Sequence, residues 1–225
     1  MTAKINGTFV ISPPLTSGGA IGCFRNTAPF VLASASPRRR EMLSGLGLEF
    51  VIDAADADEM VLPGEGPEVF VVRVAEDKAR IVASRHPEEW VFAADTVVAL
   101  DGEMLGKPVD AAEAMSMLAR LSGRWHEVWT GFCLCRGGQA ASRCAVRTAV
   151  RFANLTDPVI WAYVRSGDPL DKAGGYGIQS FGGFMVQEIN GSYSNVVGLP
   201  LAEVVAVMFD LGIVQPVAAE GRACC

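Results

Sequence analysis

Apolar positions along the chain switch between runs of strand length and stripes at helical spacing. "FVLAS", residues 30–34, is the first firm strand, and it runs straight into "SPRRREML". There Ser36 is a good N-cap and Pro37 suits the first helical position. Met42, Leu43 and Leu46 recur at helical spacing before Gly47. A looser strand, "LEFVID", leads to the acidic loop "AADADEMVLPGEGP". From Glu68 to Ser84 one helical stripe carries Val71, Val74, Ala75, Lys78 and Val82. "WVFAADTVVAL", residues 90–100, is almost continuously apolar, which predicts a central strand buried on both faces and interrupted by Asp95 and Thr96. Asp110 and Glu113 form a capping-box pattern for a helix on Met115 and Leu118 that stops at Ser122-Gly123. "HEVWTGFCLC" and "RCAVRTAVRF" read as strands, and Thr156 caps a short helix through Trp161 and Tyr163. Asn190-Gly191 predicts a hairpin between "MVQEI" and "SYSNVV". Pro200 opens a last helix on Val204, Val207 and Leu211. Mixed without strict alternation, these elements predict an α/β fold, a mixed sheet flanked by helices on both faces.

Composition narrows the picture. Half of the 225 residues are hydrophobic, enough for one sizeable domain, taken as residues 29–213. Residues 1–28 read as a flexible extension and 214–225 as a tail. The net charge of −6 indicates no general basic surface, so no nucleic-acid partner is expected. "FVISPPL" lacks the pattern of a signal peptide, and no apolar run reaches membrane-spanning length. A soluble, cytoplasmic protein without a membrane partner is the expectation. Six cysteines form no Cys-x-x-Cys pair and the two histidines, His86 and His126, stand apart from them, which argues against structural zinc. Walker A and Gly-x-Ser-x-Gly sequences are both absent.

What remains is charge in awkward places. Arg38 and Arg39 fall in the first turn of a helix, where the dipole disfavours cations unless an anion docks on the free N–H groups. Asp95 interrupts an apolar strand, where a lone carboxylate is expensive unless paired, and a structural aspartate held by backbone N–H groups accounts for it as well as a reactive one. Lys78 sits on an apolar stripe, from which a lysine can also snorkel outward. Lys107 in "LGKP" and Lys172 in the glycine-rich "LDKAGG" are ordinary turn lysines taken singly. Together these groups supply cations, a helix N-terminus and a carboxylate, the set that phosphoanhydride cleavage requires.

"LASASPRRREMLSGLGLEF", "AADTVV", "LGKP", "LSGRWHEVWTG" and "PLDKAGGYGIQSFGGFMVQEINGSYSNVVGLPL" resemble the Maf proteins, in this order, from about residue 30 to 211. The resemblance implies an elongated mixed sheet with a central cleft, related to the inosine triphosphate pyrophosphatases. It also implies a hydrolase that cleaves a nucleoside triphosphate to the monophosphate and pyrophosphate with Mg²⁺ or Mn²⁺. By the same resemblance Asp95 is the proton acceptor for the water attacking the α-phosphate, and Ser34, Ser36, Arg38 and Arg39 form the phosphate-binding loop and helix start. Lys78 and Lys107 face the triphosphate, with Lys172 beside them. Glu59 matches a metal-linked acid that would share a cation with Asp95, although Asp56 or Asp58 could hold that place. Arg38, Thr96 and Gln179 resemble the branch acting on dTTP, UTP and their modified analogues. The Gln179 amide also suits the O4/N3–H edge of thymine or uracil, since it offers both a donor and an acceptor. The alternatives are the same chemistry on 7-methyl-GTP, or a nucleotide-binding regulator of septum formation. A homodimer is compatible with the resemblance.

Overall fold

The structure, a computed structural model, describes residues 2–5, 8–11 and 22–218. Its strands are β1 (Thr2–Ile5), β2 (Thr8–Ile11), β3 (Phe24–Asn26), β4 (Phe30–Leu32), β5 (Phe50–Ile52), β6 (Trp90–Leu100), β7 (Glu103–Leu105), β8 (Trp125–Arg136), β9 (Gln139–Phe152), β10 (Val186–Asn190) and β11 (Val214–Pro216). The helices are α1 (Pro37–Gly45), α2 (Pro67–Ala83), α3 (Ala111–Leu121), α4 (Asp157–Val164), α5 (Tyr193–Val197) and α6 (Leu201–Asp210). One mixed sheet runs β1-β2-β5-β4-β6-β8-β9-β10, with β7 also on β6. β4 is parallel to both β5 and β6, while β8, β9 and β10 add antiparallel strands.

Period-two alternation in β6 sorts the core. Val91 and Ala93 face α2 through Ala75, Ala79 and Val82, while Phe92 and Ala94 face the other way, toward Leu43 of α1 and Val204 and Met208 of α6. Farther along, Val98 and Leu100 join Leu118 and Leu121 of α3 in a second core beneath α4. The α2 stripe is buried as expected, Lys78 included. Asp110 caps α3 by accepting from Glu113 N–H at 2.8 Å, and the face α3 buries is Ala114, Met117, Leu118 and Leu121, with Met115 only partly covered.

The sheet leaves a gap. β8 pairs with one edge of β6 from Trp90 to Ala99. On the other edge, β4 covers only Trp90 to Phe92 and β7 only Val98 to Leu100. The ladder to β4 ends where Ala33 N–H donates to Phe92 O, so the edge of residues 93–97 faces a crevice at the carboxyl end of β4. Ligands bind at this position in open α/β sheets.

The hairpin expectation changes. Val186–Asn190 is a strand on β9, but "SYSNVV" forms α5 and not the second arm of a hairpin. Gly191 turns the chain at φ +129°, and Ser192 then caps a helix by accepting from Asn195 N–H at 3.3 Å. Glu103–Leu105, to which the sequence pattern assigned no element, is a short strand returning on β6. Packing also continues on either side of residues 29–213. β3 and β11 pair as a ribbon, Phe24 stacks edge-on against Phe209 at 5.3 Å, and Val214 is buried in the α1/α6 core. Residues 1, 6–7, 12–21 and 219–225, including the rest of the proposed extension and tail, lie outside the described residues. Among the described residues, no helix is long and apolar enough to cross a membrane.

Gly131 of β8 lies directly opposite Asp95 and beneath α2, where an added Cβ would come within 2.4 Å of the Val71 backbone. A methyl group there must push α2 off the sheet. Gly131→Ala is therefore expected to destabilise the fold by about 1–3 kcal/mol, read as a lowered urea midpoint.

Candidate active site

The crevice opens into a cleft of about 700 Å³ that gathers every site residue expected from the sequence. Ser34, Ser36, Arg38 and Arg39 line one wall, and Glu59, Lys78, Asp95, Thr96 and Lys107 line the floor and rim. Lys172 and Gln179 close the far side. Arg40 does not line it.

At the α2 side, Lys78 Nζ donates to Asp95 Oδ1 at 2.7 Å and to Glu59 Oε1 at 2.6 Å. Asp95 is 7% exposed and Lys78 9%, so each answers the desolvation of the other; removing Lys78 leaves Asp95 a buried charge without its cation, whereas Lys78 without Asp95 keeps Glu59. Glu59 reaches them because Glu65 forks onto Arg73 of α2 at 2.6 and 2.8 Å, while Arg73 Nη2 also donates to Met60 O at 2.9 Å. Partial burial pushes the Glu59 carboxyl up, but the bond to Lys78 and the nearby charges of Lys78, Lys107 and Arg39 outweigh it and hold the group below its ordinary value. Of the three acids proposed for this loop, Glu59 alone lines the cleft. Asp58 instead accepts from Met60 N–H at 2.9 Å, and Asp56 is exposed.

On the α1 side, Arg39 turns inward. Its Nε donates to Gly198 O at 2.9 Å, Nη1 to Ala94 O at 2.7 Å and Ser34 Oγ at 3.1 Å, and Nη2 to Thr96 Oγ1 at 2.9 Å. Four of its five N–H groups thus hold protein atoms, one of them a carbonyl on the unpaired edge of β6. Burial pulls its pKa down and the Asp95 charge resists. Ser36 caps α1 by accepting from Arg39 N–H at 3.5 Å, and Ser34 Oγ accepts from Ser36 N–H at 3.3 Å.

Cations at the mouth are tied differently. Lys172 Nζ donates to Asp168 O at 2.6 Å, Asp168 Oδ1 at 3.1 Å and Asp171 Oδ1 at 2.5 Å, which accounts for all three of its hydrogens. Asp171 also reaches across to Arg38 Nη1 at 3.4 Å. Lys107 has no hydrogen-bond partner among the described residues and is exposed at the rim. The sequence reading missed Asp168 and Asp171, although two acids just ahead of a lysine in "DPLDK" were a visible signal. An incoming polyanion thus meets Lys107 and a loosely held Arg38 first.

A carboxylate pair bridged by an ammonium, set in a cleft rimmed with cations at the carboxyl end of parallel strands, defines a site for a polyanionic ligand. Sequence comparison agrees in kind. A family model described as a Maf-like protein matches residues 29–211, and the chain belongs to that family. It is 54% identical over 186 residues to a dTTP/UTP pyrophosphatase of Myxococcus xanthus, covering 83% of this chain and 94% of that one. It is 49% identical over 188 residues to a protein of the same name from Desulfotalea psychrophila, covering 83% and 96%. A HAM1 protein from Coxiella burnetii aligns at 17% identity with a TM-score of 0.49, over 82% of this chain and 100% of that chain.

Under the cleft wall formed by Tyr176, His126 is 3% exposed and its Nε2 bonds the Tyr176 hydroxyl at 2.8 Å. Burial pushes the His126 pKa down from 6.5 to about 4. An unfolded chain therefore takes up this proton near pH 6.5, and the folded one only near pH 4. His126 leaves stability unchanged above pH 6.5 and erodes it between pH 6.5 and about 4, by at most about 3 kcal/mol. Thermal melts across that window should show a steeper fall for the wild type than for His126→Gln.

Proposed function

We propose that this chain is a nucleoside triphosphate pyrophosphatase acting on dTTP, UTP and their modified analogues. The observation that carries the reading is Asp95, held in the cleft floor by Lys78 and flanked by Glu59, with cations and Gln179 ranged around it. The names of the similar proteins from Myxococcus xanthus and Desulfotalea psychrophila support the choice of base.

In this reading Arg38 and Lys107 receive the phosphates, and Lys78 turns from its carboxylates toward them. Asp95 orients a water molecule and takes its proton as the water oxygen bonds to the α-phosphorus. The bond from that phosphorus to the bridging oxygen breaks, pyrophosphate leaves, and Asp95 returns the proton to solvent. Arg39, committed to protein atoms, keeps the wall in place. Glu59 and Asp95 suit a divalent cation: both are hard oxygen donors already sharing one positive group, and Mg²⁺ commonly binds one or two carboxylates together with substrate phosphates. Bound there, it would neutralise charge building on the phosphates. Membership of the family supports a cytoplasmic enzyme.

The reading is tested by incubating the protein with Mg²⁺ or Mn²⁺ and a panel of triphosphates, then assaying for pyrophosphate. Release from dTTP and UTP ahead of purine triphosphates is expected. Orthophosphate in its place would move the attack to the γ-phosphorus and overturn the reading. Asp95→Asn should lower kcat at least about 100-fold while leaving nucleotide affinity largely intact, and near-normal turnover in that variant would remove Asp95 from its role.

A further inference from the structure

An ammonium only donates and an ionised carboxylate only accepts, so charge fixes the direction of the bonds at the cleft floor. Lys78 Nζ spans two carboxylates from distant parts of the chain, Asp95 Oδ1 of β6 at 2.7 Å and Glu59 Oε1 of the acidic loop at 2.6 Å. Distances this short are those of charge-assisted bonds. One nitrogen thus does what a bridging metal ion does, drawing two hard oxygens onto a single positive centre. A dication contacting these same two oxygens has to take the place of Nζ. Each carboxylate meets Nζ through one oxygen only. A dication on the other oxygens, however, would face the ammonium across a buried carboxylate, where like charges repel strongly.

Neighbouring charge acts in the same direction. Glu59 lies in the field of Lys78, Lys107 and Arg39, and Arg39 in that of Asp95, so cations outnumber the carboxylates around the pair. Lys78 is buried on α2 and has no other hydrogen-bond partner among the described residues. Driven off its two oxygens with nowhere to turn, it would become a buried cation without an acceptor, which is costly. A polyphosphate changes both conditions. It brings negative charge that outweighs the surplus cation, and it offers oxygens to which Lys78 can turn. The Glu59 side chain is half exposed, so the pair opens to the cleft on the loop side.

We propose that Lys78 is a built-in counter-ion that keeps a divalent cation off Glu59 and Asp95 until the phosphates of a nucleotide draw it away. Metal and nucleotide then bind as a coupled pair, each raising the affinity for the other by the same factor, since both require Lys78 to leave its carboxylates. This inference rests on the reading of Glu59 and Asp95 as the metal-holding acids of a pyrophosphatase, and it adds the device that decides when the metal enters.

The test measures Mn²⁺ binding to the nucleotide-free protein by calorimetry, with thermal melts and pyrophosphate release from UTP followed in parallel. Wild type should bind Mn²⁺ weakly and melt at the same temperature with and without it. Lys78→Met, which keeps most of the side-chain length and removes its charge, should bind Mn²⁺ at least about tenfold more tightly and melt higher in its presence. Adding Glu59→Gln to that variant should abolish the gain, which locates the ion at the pair. Lys107→Met removes a nearby cation that bonds neither carboxylate and should move the Mn²⁺ affinity far less, whereas a general charge effect would move both lysine variants alike. The affinity for α,β-methylene UTP, which the proposed cleavage cannot consume, should rise with Mn²⁺ more steeply in wild type than in Lys78→Met. Should Lys78→Met fail to fold, Lys78→Gln gives the same readouts. Tight Mn²⁺ binding by nucleotide-free wild type that Glu59→Gln removes, an unchanged affinity in the Lys78 variant, or an equal rise of analogue affinity in both proteins overturns the proposal. The expected Mn²⁺ results without pyrophosphate release from UTP would instead overturn the catalytic reading and support this one.

Discussion

Everything at the site follows from an unequal pairing of β6. One edge is covered along nearly its whole length by β8, while the other is covered only at its two ends, by β4 and β7. Buried backbone groups must find partners. A sheet therefore tolerates such an interruption only where side chains or solvent supply them. Arg39 supplies one, at Ala94 O, from a helix that begins five residues after its strand ends. The cleft is a break in the ladder held open by a guanidinium, with the rigidity of a continuous strand along its back.

The same break explains the run of three arginines. Arg38 and Arg39 stand at the positive end of α1, where cations are disfavoured. Arg39 escapes the dipole by reaching back under the sheet edge and meeting three oxygens besides Gly198 O. Among the described residues Arg38 has only a long contact to Asp171, a carboxylate that also holds Lys172. A surface pair of that kind contributes at most about 1 kcal/mol, so a polyphosphate can displace it. The first arginine of the run is thus left available, the second lines the cleft with four of its five N–H groups on protein atoms, and the third does not line the cleft.

Much of this was legible in the sequence. The apolar run of β6, the stripe of α2 and the caps at Ser36 and Asp110 are local patterns whose physics does not depend on distant partners. Asp95 and Lys78 each looked misplaced alone, and each proves to be the other's partner. Their burial made them conspicuous, and the same burial compels their pairing. The failures were of two kinds. Asn190-Gly191 carries a hairpin signal that Ser192, as a helix cap, overrides one residue later. The gap in the sheet is set by where β4 and β7 stop, and strands of three residues leave too little periodicity to read. The partners of Arg39 were equally hidden, because Ala94 O and Gly198 O are main-chain atoms that any residue would offer.

Asp95 and Thr96 are adjacent, so the pleat sends their side chains to opposite faces of the sheet. Asp95 meets α2 and the acidic loop, and Thr96 meets Arg39, Thr130 and the turn after α5. Both are reachable from one cleft because the neighbouring strand is missing at that point. The two side chains are therefore supported by separate elements and joined by a single peptide bond. Substitutions behind Thr96 therefore need not disturb the ion pair behind Asp95. A slip of one residue in the β6–β8 register, however, would turn both side chains to the wrong faces at once. Ten consecutive pairs along that edge, from Trp90 to Ala99, are what hold the register.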